Sequence, residues 1–336
     1  MSRTPTLEDV AAAAGVSTAT VSRCLNSPDK VVPETRQRVM EAVSSLGYAP
    51  NFSARALVAK RTQTIGAVIP TMENAIFAEG VQAFQSVLQA EDFMLLIASS
   101  GYDRAAEFDA IRTLAARGAD GVLLVGFDRS PEVYEFLATQ SIPAIVAWAY
   151  DSERPVASVG FDNMLAMHAL AAHAIKLGHS KVGIVSGQQS GNDRARDRVE
   201  GVQLALKDAG LRAAIVIEAP YGIAQGAAAF EKLLKEAPDT TLVLCGNDVL
   251  AAGAIRQALA QGLSVPDDVS ITGFDDLAIA QLVEPQIATV RVPHRKMGEA
   301  AAAALLECVA GKSAESQLLP TELCLRASLA PPFNKG

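Results

Sequence analysis

The stretch TLEDVAAAAGVSTATVSRCLN, running from Thr6 to Asn26, decides how the N-terminus folds. Thr6 and Asp9 have the spacing of a capping box, in which a hydroxyl and a carboxylate each satisfy a free backbone N–H of the first helical turn. Leu7, Val10, Ala11 and Ala14 recur at helical spacing, and Gly15 stops the helix after little more than two turns because it takes positive φ freely. Ser17 caps a second helix with Val21 and Leu25 inward, and that helix runs into the breaker cluster Asn26-Ser-Pro28. A third helix is expected from near Pro33 to Leu46, with Val39, Val43 and Leu46 inward and Gly47 at its end. Ala11 is small where the first two helices cross, and Val21 packs one on the other. This is helix-turn-helix spacing, although an ordinary helical hairpin has the same spacing.

The outer face of the second helix favours the first reading. It offers Ser17, Thr18, Ala19, Thr20, Ser22, Arg23 and Asn26: short hydrogen-bonding groups, a methyl and one arginine. A helix lying in a DNA major groove needs such a surface, with Arg for guanine and small groups for bases, phosphates or the thymine methyl. A merely solvated helix carries more Glu and Lys.

The net charge of −8 is unevenly spread. Residues 1–61 hold eight Lys/Arg against five Asp/Glu, a balance of +3, and the remainder carries −11. A small basic head on an acidic body suits contact with phosphates at one end only. The four cysteines, Cys24, Cys245, Cys308 and Cys324, are scattered with no CxxC and no metal spacing, which implies free thiols in a reducing cytoplasm. Neither a signal peptide nor a membrane-spanning apolar run is apparent, so a cytoplasmic protein without membrane contact is expected.

From Thr64 onward, apolar runs of strand length alternate with amphipathic helices. The runs begin at Ile65, Met94, Gly121 and Ala144, and a second series begins at Lys181, Ala214, Thr241 and Val269, with helices near 76–90, 104–117 and 130–140. Near-continuous Val/Ile/Leu strands between helices imply parallel sheets covered on both faces. Two series imply two doubly wound α/β lobes, with a ligand cleft at the C-terminal strand ends. The fold class is therefore an all-α helix-turn-helix and linker helix followed by a two-lobed α/β body. Polar residues just past strand ends are candidates for the cleft: Asp162 after Ala157–Val159, Asn247 after Leu242–Leu244 and Asp275 after Val269–Thr272.

Taken as an ordered set, Thr6-Leu-Glu-Asp-Val-Ala11, Gly15-Val-Ser17, Thr20-Val-Ser-Arg23, Thr35-Arg36 and Leu46-Gly-Tyr-x-Pro-Asn51 resemble the LacI/GalR family signature. The body carries matching pieces: Val159-Gly-Phe-Asp-Asn163, Leu177-Gly-His179, Arg198-x-x-Gly201, Asn247-Asp248, Val265-Pro-Asp-Asp-Val-Ser270, Gly273-Phe-Asp-Asp276 and Val292-Pro293. The resemblance implies a periplasmic-binding-protein-like sensor whose chain crosses between lobes three times, near residues 161, 290 and 321. The expected layout is a DNA-binding domain at 1–50, a hinge helix and linker at 51–61 and a sensor at 62–336. Lobe 1 would comprise 62–161 and 291–321, and lobe 2 would comprise 162–290 and 322–336. The resemblance makes Phe52–Ala59 the hinge helix, which folds on the minor groove, with Asn51 and Ala54 beside Leu57, the wedge that levers open a base step. A helix so short is unstable alone, so folding on DNA is sensible.

The resemblance also fills the cleft. Arg198 matches the family's ligand arginine, and Asp275 its ligand-contacting aspartate. Tyr221 and Phe161 fall where rings stack on the ligand, although each could equally pack beneath the cleft. The same choice holds for Phe77. His294 faces either ligand or lobe interface. Trp148, the one tryptophan, departs from the acidic residue of several sugar-binding members and either stacks on the ligand or plugs the pocket. The overall look is closest to the gluconate-repressor branch, which implies a sugar-acid effector. The implied partners are a near-palindromic operator, a small effector and a second copy in a homodimer, with no cofactor or metal. No GxGxxG, Walker or GxSxG motif is present, and His168 and His173, five apart, do not pair on a helix face, so an enzyme is not expected. A transport-type sugar-binding protein would share the body, and a sensor that never touches DNA would share both halves.

Overall fold

The computed structural model describes residues 4–26, 28–49, 61–73 and 76–333. The chain divides into two compact units, at Met1–Thr62 and Gln63–Gly336.

The first unit is a helical head. Helix α1 (Leu7–Ala14) begins at the expected capping box: Asp9 N–H donates to Thr6 Oγ1, and Thr6 N–H donates to Asp9 Oδ2 at 2.8 Å. It ends on Gly15 at φ 66°. Helix α2 (Thr18–Asn26) starts after Ser17, whose Oγ accepts from Thr20 N–H at 3.2 Å. A 3-10 turn, Pro28–Lys30, leads to α3 (Pro33–Leu46), which ends on Gly47 at φ 63°. Val10, Ala11, Ala14, Val21, Cys24, Val39 and Ala42 form the core. Leu46 was expected inward, but it is 36% exposed. The helix completes its apolar stripe with Ala42 beside Val39, and Val43 packs half-buried against the same core.

The second unit is a two-lobed α/β body. Its first sheet contains β1 (Thr64–Ile69), β2 (Met94–Ser99), β3 (Gly121–Val125), β4 (Ala144–Ala147), β5 (Ser158–Gly160) and β11 (Gln317–Leu318), in the order β11-β5-β4-β3-β1-β2. Every pairing in it is parallel, with Ile65 opposite both Leu95 and Gly121. Helices α4 (Ala78–Ala90), α5 (Arg104–Ala116) and α6 (Pro131–Thr139) cover it together with the late helix α12 (His294–Val309). The second sheet, in the order β7-β6-β8-β9, contains β6 (Val182–Ser186), β7 (Ile215–Glu218), β8 (Leu242–Cys245) and β9 (Ser270–Thr272) and is again parallel. Helices α7 (Asn163–Lys176), α8 (Asp193–Asp208), α9 (Ile223–Glu236), α10 (Asp248–Ala260) and α11 (Ala278–Leu282) belong to this lobe. Strands β3 and β8 are buried along their whole length, as a sheet covered on both faces requires.

The chain leaves the first sheet after Gly160, returns through β10 (Thr289–Arg291) into α12, and passes back through β12 (Glu322–Cys324). Strands β10 and β12 pair antiparallel as a separate two-stranded ribbon between the lobes. Ser328 then fixes the C-terminal segment to the second lobe, accepting from Ala288 N–H at 2.9 Å and donating to Ile271 O at 2.5 Å.

Candidate functional site

On the head, Ser17, Thr18, Ala19 and Arg23 are exposed, and Thr20 and Ser22 are half-buried. Three hydroxyls of the head are also used locally. Thr6 Oγ1 is engaged with Asp9 in the capping box, and Ser17 Oγ and Thr20 Oγ1 lie 2.9 Å apart while Ser17 caps α2. Asn26 closes α2, but its side chain is outside the described residues, as are Asn51, Ala54 and Leu57 of the expected hinge.

In the body, the strand ends converge as expected from parallel topology. Arg198, on α8, is 5% exposed and fixed on three sides. Its Nε donates to Asn163 Oδ1 at 2.8 Å, its Nη1 donates to Gly246 O at 2.7 Å, and its guanidinium lies 4.0 Å over the Phe274 ring. Its Nη2 stands 3.8 Å from Asp275 Oδ1, an ion pair too long for a hydrogen bond. Asp275 is 1% exposed and adopts φ 104°, a backbone state an L-residue holds only when its surroundings impose it. Its backbone is laced to the ribbon: Asp275 N–H donates to Val290 O at 2.9 Å, and Val292 N–H donates to Asp275 O at 3.4 Å.

Several buried polar atoms here have no hydrogen-bond partner. They are Asn247 Nδ2, both carboxylate oxygens of Asp275, His294 Nε2 and Thr272 Oγ1. A buried polar group left so costs about 1–3 kcal/mol, so a cluster of them marks a place built for a polar guest. The set contains both signs of hydrogen bond. Asp275 can only accept and Asn247 Nδ2 can only donate. His294 Nδ1 receives the Trp148 indole N–H at 3.3 Å, which leaves the ring proton on Nε2 and makes that atom a donor. Burial holds the His294 pKa below the usual histidine value, consistent with a neutral ring.

The aromatic candidates line the same region. Phe77 packs edge-on against Trp148, with centroids 5.2 Å apart. Phe161 lies tilted on Phe274 at 6.0 Å, and Tyr221 faces Tyr102 at 6.1 Å. Trp148, at φ 62°, is 1% exposed, with its ring beside Gly80. Phe77 and Phe161 are equally enclosed, at 3% and 1% exposed. Asp162 takes a different position from the one its strand-end placement suggested. Its Oδ1 accepts from Leu165 N–H at 2.8 Å and caps α7, and it is the next residue, Asn163, that reaches the centre, donating to Trp148 O at 3.0 Å and accepting from Arg198. Asn247 likewise caps α10 through Oδ1, but its Nδ2 remains available.

Sequence reasoning missed other groups. Asp248 is fully buried and accepts from Thr289 Oγ1 at 2.6 Å and Leu277 N–H at 2.7 Å, which fixes the turn carrying Asp275. Burial, and then the nearby charge of Asp275, push its pKa up to about 8. Asn163 and Asp248 lie in the family-like motifs Val159-Gly-Phe-Asp-Asn163 and Asn247-Asp248, each directly beside a candidate cleft residue, and that adjacency is the signal for them in the sequence.

A latch between the lobes also went unread. Asp193 Oδ2 accepts from Phe127 N–H at 2.5 Å, Arg194 Nη1 donates to Val125 O at 3.2 Å, and Arg196 Nη1 donates to Asp128 Oδ2 at 2.5 Å. Asp128 also pairs with Arg104 of its own lobe. Gly126 stands at φ 67°, and a Cβ there would run into Arg194 and Asp193. Arg129 braces this loop from behind, donating to Gly126 O at 2.7 Å and pairing with buried Glu107 at 3.0 Å. Among the described residues no cluster of side chains could hold a metal ion, and no helix is long and apolar enough to cross a membrane.

Comparison with known proteins agrees with both halves. The model of bacterial regulatory proteins of the lacI family matches residues 6–51, and that of periplasmic binding proteins and sugar-binding domains of the LacI family matches residues 62–326. The HTH-type transcriptional regulator GntR of Pseudomonas aeruginosa is 33% identical over 94% of this chain and 92% of its own. The catabolite control protein A of Priestia megaterium is 31% identical over 96% and 98%. Among solved structures, the lac repressor dimer bound to operator and the anti-inducer ONPF superposes with a TM-score of 0.86 at 26% identity, covering 98% of this chain and 100% of that one. A complex of the regulator CelR with cellobiose gives a TM-score of 0.71 at 30% identity, covering 96% and 99%. With a DNA-reading head, a two-lobed body and relatives matched over nearly their whole length, the chain belongs to the LacI family and is a ligand-responsive, DNA-binding transcriptional regulator.

Proposed function

We propose that this regulator is a cytoplasmic repressor of sugar-acid metabolism that binds a near-palindromic operator as a homodimer, and that a sugar acid in the cleft alters operator affinity without being chemically changed. The observation that carries the effector reading is the group of unpartnered buried polar atoms on Asn247, Asp275 and His294 beside Arg198. A polyhydroxy acid matches it. Hydroxyls donate to the Asp275 carboxylate, and the acid end accepts from the Asn247 and His294 N–H groups near the guanidinium. Phe77, Trp148, Phe161 and Tyr221 would form the walls, with Asp162 capping the helix that carries Asn163. On the head, Thr6, Ser17, Thr18, Ala19, Thr20, Ser22, Arg23 and Asn26 would meet the major groove, and Asn51, Ala54 and Leu57 the minor groove. The layout retained for the chain is head 1–50, hinge 51–61 and sensor 62–336.

Large apolar side chains standing in solvent support a dimer: Leu282 is 81% exposed, Leu259 49%, and Met94 and Ile97 on the edge strand β2 are 60% and 40% exposed. The twofold symmetry of a dimer in turn asks for two operator half-sites.

The test is a thermal-shift and operator-binding series on the full chain with D-gluconate, 2-ketogluconate, a neutral hexose and a purine, followed by NMR of the recovered ligand. Expected are a shift and a changed operator affinity with an acid, which is returned unaltered. A response to the neutral sugar or purine with none to the acids overturns the effector class, and failure to bind any cognate upstream promoter fragment overturns the operator reading.

A further inference from the structure

Next to the cleft acceptor Asp275 stands a second aspartate with a different set of partners. Asp276 has φ 56°, so two consecutive non-glycine residues hold positive φ. Its side chain is 4% exposed and accepts from three directions. Oδ2 takes Arg291 Nε at 2.8 Å and Cys324 Sγ at 3.5 Å, and Oδ1 takes Arg326 Nη2 at 2.6 Å. Arg291 closes β10, Cys324 closes β12, and Arg326 also donates to Ile287 O at 3.0 Å. One carboxylate therefore joins both strands of the interlobe ribbon, and its neighbour along the chain presents the unpartnered carboxylate of the cleft.

We propose that Asp276 is a positioning residue that couples occupancy of the cleft at Asp275 to the geometry of the two crossover strands, a claim that rests on the effector reading above. The physical argument is local. Asp275 cannot relax its φ of 104° without moving Asp276, and Asp276 cannot move without pulling on Arg291 and Arg326. A partner that draws the Asp275 carboxylate toward it therefore shifts the ribbon along which the lobes turn. Affinity depends on the Asp275 carboxylate itself, which faces Arg198 at 3.8 Å and takes no hydrogen bond from Arg291 or Arg326. The main-chain bonds of Asp275 to Val290 and Val292 seat the turn on β10, and the Asp276 side chain extends that link to Cys324 of β12 and to Arg326.

The test separates affinity from coupling. Operator affinity of the full-length protein is measured with and without D-gluconate, and D-gluconate affinity is measured by fluorescence of Trp148, for the unaltered chain, Asp276→Asn, Arg326→Gln and Glu322→Gln. Glu322 pairs with Arg291 on the same ribbon without touching Asp276, at a 69% exposed position. Coupling in the usual allosteric range of roughly 5- to 150-fold is expected to fall below about 2-fold in Asp276→Asn and to drop partway in Arg326→Gln. D-gluconate affinity should stay within about 3-fold in both, and Glu322→Gln should behave as the unaltered chain. Full coupling in Asp276→Asn, or an equal loss in Glu322→Gln, overturns the proposal, as does a parallel loss of affinity and coupling. Should Asp276→Asn fail to fold, Arg326→Gln decides by the same criteria. Should the unaltered chain not respond to D-gluconate, the effector class fails while the tie is still judged by amide exchange. Faster exchange at Asp275 and Val292 in Asp276→Asn or Arg326→Gln, with Ile184 and Val243 unchanged, supports it, and unchanged protection at all four overturns it.

Discussion

The indole N–H of Trp148 donates to Nδ1 of His294 across 3.3 Å, in a contact where the two residues are 1% and 4% exposed. One bond sets the tautomer of the histidine and the position of the only tryptophan in the chain. Trp148→Phe leaves His294 Nδ1 buried without a donor and should destabilise the sensor by about 1–3 kcal/mol. Adding His294→Phe should cost less than the sum of the single changes, because the second removes the partner stranded by the first. Urea unfolding of the two singles and the double measures this.

Removal of Arg198 should separate the two halves of the protein. Arg198→Ala leaves the Asp275 carboxylate buried with its nearest cation gone, which costs about 3–5 kcal/mol by analogy with broken buried pairs. Effector response should vanish while the head, a compact unit of its own, still binds DNA. Anisotropy of a labelled operator fragment with and without D-gluconate gives both readings, and an intact response in Arg198→Ala rules out its role.

On the head, Arg23→Ala should weaken binding to the cognate operator by about 1–3 kcal/mol while barely changing binding to random duplex, since a bidentate arginine reads guanine. Leu57→Ala should act in the same sense through lost wedging. Competition titrations against cognate and scrambled fragments at one fixed salt concentration measure the difference.

Asp248 gives the sensor a pH dependence of unusual sign. Its folded pKa is raised to about 8, so the native state holds that proton more tightly than the unfolded chain. The associated stability is complete below the unfolded pKa near 4 and is lost as pH rises through about 8, on the order of a few kcal/mol across the window. Asp248→Asn should flatten this slope. Denaturation midpoints at pH 5, 7 and 8.5 test it, and an unchanged slope in the variant assigns the effect elsewhere.

The fold was legible where burial acts on both faces of an element. Strands such as β3 and β8 are unbroken apolar runs because helices cover them above and below. Strands β11 and β12 are short and exposed, so Gln317–Leu318 and Glu322–Cys324 carry no periodic signal, although β12 forms half of the ribbon between the lobes. In the candidate site, topology put Asn247 and Asp275 just past strand ends, and both are buried there with unpartnered polar atoms, because strand ends are readable from sequence. Asn163 was hidden behind Asp162: which of two neighbouring polar residues caps a helix and which turns inward depends on φ and ψ. The latch residues Asp128, Asp193 and Arg196 look like solvated charges in sequence, and their pairing exists only once two distant loops meet.

The closed latch has a kinetic consequence. Asn247, Asp275 and His294 are sealed from solvent while Phe127 and Val125 are bonded to Asp193 and Arg194, so an effector reaches them only during moments of opening. Its observed association rate should therefore level off as concentration rises, at a ceiling set by how often the latch parts. A Gly126→Ala change, which crowds Arg194 and Asp193, should raise that ceiling. The regulator's response time would then be governed by how the loop at Val125–Asp128 holds Asp193 and Arg194, and not by the polar groups that meet the effector.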